Sequence, residues 1–218
     1  LVTLIKFTCH PVADPPNCEG SDFPGYLKNS LSNYLKDKPM IFFLQGFAGD
    51  VRPNLLFKPK NYKDYILKLI IGDKFRESEK KDSKIIANEI VKQIRTLYKD
   101  INEKIYLNKI NSYEKNKQIL LIGEKKTNRK LNITIWDFIN FKICFLSGEI
   151  LSGYKLEWNK NKKVIGVGYS NGMTCYIPTH KDIKYGGYEV DKSRIKFNLK
   201  NRISKNFLNK LNVLLNDI

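Results

Sequence analysis

The sequence predicts an α/β fold, a mixed sheet flanked by helices. Short apolar, strand-like runs alternate with segments of helical periodicity along the chain. Apolar residues make up 42% and aromatic residues 12% of 218 residues, enough for a packed core and too much for a globally disordered chain. No apolar run reaches the roughly 18 residues that a membrane span needs. The chain opens directly on a strand at Leu1, without the basic, apolar and cleavage regions of a signal peptide in order. The abrupt start leads to the expectation that something upstream is missing.

Element by element, Val2 to Thr8 is a buried strand that Cys9-His10-Pro11 ends. A loop with Pro15, Pro16, Asn17 and Gly20 leads to a helix over about Pro24 to Lys36, whose Tyr26, Leu27, Leu31, Tyr34 and Leu35 share one side. Pro39 opens a second strand, Met40 to Leu44, and Gly46 to Asn54 is a loop. Lys84 to Leu107 is the clearest helix, because Ile86, Ile90, Ile94, Leu97, Ile101 and Ile105 recur every three or four residues. Asp82 or Ser83 is placed to cap it. Lys117 to Ile122 and Leu131 to Trp136 read as strands around the polar turn Glu124 to Lys130, and Phe141 to Leu146 as another that breaks at Ser147-Gly148. Glu149 to Trp158 reads as a helix, Val164 to Tyr169 as a strand and Ser170 to Pro178 as a loop. Thr179 caps a short helical turn that ends near Gly186-Gly187; Arg194 to Leu199 reads as a strand and Ser204 to Asn216 as the last helix. There is no internal repeat.

The 39 basic and 22 acidic residues give a net charge of +17. The excess is mostly scattered lysine in an Asn- and Ile-rich chain, the signature of A/T-rich codons, and it forms no arginine-rich stripe. It reads as a solvated surface rather than a nucleic-acid face, so a nucleic-acid partner is not expected. Cys9, Cys18, Cys144 and Cys175 form no C-x-x-C pair, and Cys9 and Cys144 look like small core residues. The pattern favours a reducing compartment, and so the cytoplasm slightly.

Several polar residues follow apolar strands: His10, Gln45 with Asp50, Glu149, and Asn171 with Tyr176. In open α/β sheets ligands gather beyond the carboxyl ends of strands. A histidine, a glutamate and a further oxygen suit a catalytic zinc with an open position for water. On spacing alone, the zinc signal is weak: His10 reads first as a hydrogen-bonded structural residue, Glu149 as a helix-start acid and Tyr176 as a core or rim residue.

A resemblance sharpens these readings. Phe7-Thr8-Cys9-His10-Pro11-Val12 resembles the second histidine motif of the neutral/alkaline ceramidase family, and Ser21-Asp22-Phe23-Pro24-Gly25-Tyr26 follows as a comparable segment does there. Gln45 to Asn54 resembles the family's Q-x-x-x-G-D-V-x-P-N loop, and Ser147-Gly148-Glu149 its P-G-E element. Gly168 to Thr179 is similar to the G-x-x-N-x-x-x-x-Y-x-x-T run, which Gly186-Gly187-Tyr188-Glu189 continues. The resemblance covers five segments in the family's order and implies one ceramidase-like hydrolase domain over 1–218, its C-terminal part. It implies a zinc held by His10, Glu149 and Tyr176, while the upstream histidine motif that supplies a fourth ligand is absent.

Arg52 stands where ceramidases have an essential serine. A guanidinium cannot replace that hydroxyl, but it can clamp a carboxylate or phosphate. Arg52 is thus either a surface salt bridge or a contact for an acidic substrate, with Asp50 as one candidate partner. Asp50 itself either orients a ligand or its loop, or closes a Gly-Asp turn. Arg52 and Asp50 are the catalytic-loop candidates; Gln45, Asn171 and again Arg52 are the substrate-binding ones. The implied function is zinc-dependent hydrolysis of a small-molecule or lipid amide other than ceramide. The alternative is a catalytically degenerate or truncated relative that acts as a binding protein.

Overall fold

The computed structural model describes residues 1–99, 117–120, 130–138, 141–154 and 164–218, with the backbone alone for 99 and 117–120. The chain divides into two compact units. The first comprises Leu1–Ile5, His10–Phe43 and Arg52–Lys104; the second comprises Lys6–Cys9, Leu44–Val51 and Ile105–Ile218. Strands β1 (Val2–Phe7) and β2 (Met40–Gln45) are hydrogen-bonded neighbours. The Met40 N–H bonds to Leu1 O in the first unit and the Gly46 N–H to Phe7 O in the second, so the strands run parallel.

In the first unit, helix α1 (Asp22–Tyr34) buries Phe23, Leu27 and Leu31, the i, i+4, i+8 stripe expected of it. It packs against α3 (Asp82–Lys99), whose Ala87, Ile90 and Val91 are buried. Asp22 is buried too, and its carboxylate accepts the N–H groups of Ala13 (2.7 Å) and Asp14 (2.8 Å), which ties down the proline-rich loop. Asp82 and Ser83 are engaged elsewhere than at a helix cap. Asp82 holds Arg76 through two bonds of 2.8 and 2.7 Å and accepts the Glu79 N–H, and the Ser83 hydroxyl donates to the Asp14 carboxylate at 2.6 Å. The sequence reading passes over a further helix, α2 (Tyr62–Ile71), which Asn61 caps by accepting the Asp64 N–H and which Gly72 ends at φ 75°. Of the predicted helix to Leu107, the part beyond 99 lies outside the described residues.

The second unit is built on a four-stranded sheet in the order β3 (Lys117–Leu120), β4 (Lys130–Phe138), β5 (Phe141–Leu146), β7 (Val164–Val167). The pairs β3–β4 and β4–β5 are antiparallel and β5–β7 is parallel, so the sheet is mixed as predicted. Leu131, Ile133, Ile135, Cys144 and Leu146 share a buried cluster with Phe207, Leu208, Leu211 and Leu215 of α7 (Lys205–Asn216). Trp136 meets Phe145 edge-on at 4.7 Å, and Phe138 stacks on Phe141 at 4.8 Å. The predicted turn at Glu124 falls outside the described residues.

Two predicted elements differ. Glu149 does not start a helix: β6 (Glu149–Ile150) pairs in parallel with β8 (Tyr176–Ile177), inside the predicted loop, because the N–H groups of Glu149 and Leu151 find Cys175 O and Ile177 O. Residues 155–163 lie outside the described set. The segment Arg194 to Leu199 is no strand. A π-helical turn α5 (Tyr188–Lys192) runs into the short helix α6 (Ser193–Lys196), and the Ser193 hydroxyl donates to Glu189 O. Before them, α4 (His180–Tyr185) carries the predicted Thr179 cap, with Thr179 and Asp182 bonding each other reciprocally, and ends at Gly186 with φ 71°. Among the described residues, no helix is long and apolar enough to cross a membrane.

Candidate active site

The turn from β5 to β6 is held by a buried hydroxyl pair. Ser147 Oγ accepts the Asn132 N–H at 2.7 Å and lies 3.1 Å from Thr174 Oγ1, which donates to Lys130 O. Since the single Thr174 proton goes to that carbonyl, Ser147 donates within the pair. Gly148 then passes so close to β8 that a Cβ would sit 3.0 Å from Cys175 O. Parallel pairing sets Glu149 opposite Tyr176.

A second phenol joins them. Tyr169 holds a left-handed backbone, φ 57°, with its N–H on Gly148 O, and its hydroxyl donates to Glu149 Oε2 at 3.4 Å. Such a φ is strained for a bulky residue and belongs to special sites. No sequence signal singles Tyr169 out, because its role comes from that turn. Burial first, and then the Glu149 charge, pushes the Tyr169 hydroxyl far above the usual phenol range. Burial first, and then the neighbouring Glu149 carboxylate, does the same for Tyr176. Both phenols therefore keep their protons through the neutral range, and Tyr169 donates its own to the carboxylate.

The other sequence candidates of this unit shape its loops. Asp50 accepts the N–H (2.7 Å) and hydroxyl (3.0 Å) of Ser152, so the loop after β2 is tied to the chain just beyond β6. Gly49 lies against that chain, where a Cβ would come within 2.8 Å of Glu149 O, and its N–H bonds to Ile150 O. The Gln45 side chain donates to Cys9 O at 2.9 Å. The Asn171 amide donates to Thr134 Oγ1 at 2.9 Å.

His10 and Arg52 belong to the first unit. His10 is half-buried in the loop after β1, and its carbonyl accepts the Val12 N–H. Arg52 is exposed and lines a cleft of about 470 Å³ with Asp14, Asp22, Pro53 and Arg76. Its guanidinium lies 4.8 Å over the Phe75 ring. In the second unit both oxygens of Asp50 are bonded to Ser152.

As a donor set, the carboxylate of Glu149 and the phenol of Tyr176 fit zinc in kind, both being oxygen ligands on a short backbone register. The phenol has to lose a proton that this environment holds firmly. Among the described residues no three His, Cys, Asp or Glu side chains gather to hold a metal ion.

No protein-family model and no curated protein matches the chain in sequence. A solved structure does match in fold: the crystal structure of neutral ceramidase from Pseudomonas aeruginosa, with a TM-score of 0.61 over 86% of this chain at 12% identity. The two chains share a fold. This chain spans 40% of that protein's length. The fold likeness agrees with the expected α/β class and with the ceramidase-like architecture; at this identity it carries the fold alone.

Proposed function

We propose that this chain is a hydrolase part related to neutral ceramidases, a zinc-dependent amide hydrolase whose substrate is not ceramide. The observation that carries the proposal is the Glu149–Tyr176 register pair, flanked by Tyr169. The sequence resemblance assigns the same two residues, together with His10, as metal ligands. His10 enters as the nitrogen ligand on the resemblance of its sequence run alone. Bound zinc supplies Lewis-acid polarisation of an amide carbonyl and acidifies water.

The chain's own residues supply the rest. Glu149 provides negative charge, and Tyr169, protonated through the neutral range, holds the carboxylate's orientation by donating to it. Asp50 and Gln45 keep the neighbouring loop in place through Ser152 and Cys9. Arg52, exposed and cushioned on Phe75, presents a guanidinium suited to a carboxylate or phosphate on the substrate. The substrate class is therefore an acidic amide.

The test is hydrolysis of matched acidic and neutral N-acyl amides with zinc supplied, by wild type and Arg52→Ser. Preference for the acidic amide, lost in Arg52→Ser, is the expected result. Equal hydrolysis of both by both proteins overturns the specificity. The second reading, a degenerate relative that only binds, is favoured by one observation: burial and the neighbouring Glu149 carboxylate hold on Tyr176 the proton that a zinc ligand has to lose. Calorimetry separates the two. Weak zinc binding is expected from this chain, with a further loss in Glu149→Gln and Tyr176→Phe. Zinc binding unaffected by either substitution removes the proposed site.

A further inference from the structure

We propose that α2 docks the protein peripherally on a membrane surface that carries anionic lipid, through an apolar helix face displayed to solvent. This inference is independent of the hydrolase reading. Segments 55–57 and 74–76 pair with each other: the Phe57 N–H bonds to Lys74 O and the Arg76 N–H to Leu55 O, both at 2.8 Å, around an antiparallel bridge of Leu56 and Phe75. Between these pinned ends the chain makes an excursion, and its only regular element is α2.

Helices on globular proteins turn their apolar stripe inward. In α2 the stripe faces out. Tyr62, Tyr65, Ile66, Leu69 and Ile70 fall at i, i+3, i+4, i+7 and i+8, on one face of the helix. Leu69 is 85% exposed, Tyr62 79%, Ile70 75% and Tyr65 58%, and no residue of the helix is buried. An asparagine cap, a glycine stop and the Lys68–Asp73 ion pair at 2.8 Å hold the helix.

Charge selects the occupant. The segment from Lys58 to Lys74 carries five lysines (Lys58, Lys60, Lys63, Lys68 and Lys74) against two aspartates; Asp73 pairs with Lys68, and Asp64 serves the helix start by accepting the Lys60 N–H. Two tyrosines and an aliphatic face in a lysine-rich segment are the composition of a helix lying in the headgroup region of an anionic bilayer. A second copy of the chain is a poor cover, since each carries +17.

The experiment is flotation of the intact 218-residue chain with phosphatidylcholine vesicles, with and without phosphatidylserine, beside size-exclusion chromatography without lipid. The expected result is flotation with the phosphatidylserine vesicles, about tenfold or more weaker on phosphatidylcholine alone. Leu69→Ser and Ile70→Ser are each expected to weaken binding about tenfold while leaving the thermal melt unchanged, because both side chains are already in solvent. Leu69→Phe is expected to retain binding. Three results overturn the proposal: no flotation of the wild type, equal flotation of the serine variants, or a lipid-free dimer that Leu69→Ser converts to monomer.

Discussion

Tyr169 and Tyr176 both hold their protons far above the ordinary phenol range, for the same two reasons, burial first and Glu149 next. The consequence for stability has a definite sign. Below pH about 10 the folded and unfolded chains both keep these protons, and the pair adds no pH dependence. Above it the unfolded chain releases them while the fold does not, so stability falls as pH rises. Denaturant midpoints measured from neutral to alkaline pH should show that fall, shallower in a Tyr169→Phe, Tyr176→Phe variant. Glu149→Gln removes the second cause from both phenols, and their tyrosinate absorbance should then appear at lower pH than in the wild type. A second prediction concerns Asp50, whose two oxygens tie its loop to Ser152. The pair is solvent-exposed, so Asp50→Ala should cost about 1–2 kcal/mol in denaturant unfolding, and Asp50→Asn less. An unchanged midpoint in Asp50→Ala would show that the Gly49 contact alone holds the loop.

Among the elements, the start of α3 depends on a clamp rather than a cap. Asp82 is buried, bonded twice by Arg76 and once by the Glu79 N–H. Asp82→Ala should destabilise by about 2–3 kcal/mol, somewhat below a fully buried pair because Arg76 is partly exposed. The Arg76 bond holds the Asp82 carboxyl below its usual range, so this stability is present above pH about 4 and is lost as pH falls through the folded value. Arg76→Gln should therefore differ most from wild type near neutrality and converge on it in acid. A difference that persists in acid would place the effect elsewhere. Elements whose partners lie within reach of their own pattern were legible: α1, β4, β5 and α7 follow from apolar periodicity, and α4 from Thr179 and Gly186. The errors have one physical source. Arg-Ile-Lys-Phe-Asn-Leu alternates like a strand from Arg194, but no ladder takes it up, and Ile195 is 68% exposed in a helix. Glu149 lies in a two-residue strand that exists only because Tyr176, 27 positions later in the chain, completes it. Pairing across such a separation leaves no local trace.

At the scale of the whole molecule, the ordered motifs were a better guide than any single element. They indicated a ceramidase-like fold, and a neutral ceramidase structure shares it at 12% identity. The same motifs named Glu149 and Tyr176, which the structure sets side by side, but could not reveal that Asn171 bonds Thr134 or that Tyr169 turns onto Glu149. Side-chain partners depend on turns and packing that motif order does not encode. Net charge, by contrast, is read entirely from the sequence and has a bulk consequence. Even with every one of the 22 acids paired, 17 cations have no acidic partner of their own. Close ion pairs such as Arg76–Asp82 and Arg202–Asp191 are short-ranged and only weakly screened, whereas the repulsion among scattered lysines acts over distances that salt shortens to about 8 Å at physiological strength. Salt should therefore stabilise this protein. The melting temperature, followed at neutral pH from very low to physiological sodium chloride, should rise and then level off. A fall with salt would mean that attractive pairs dominate the surface, and the excess lysine would then have to be gathered around acidic groups rather than spread over the molecule.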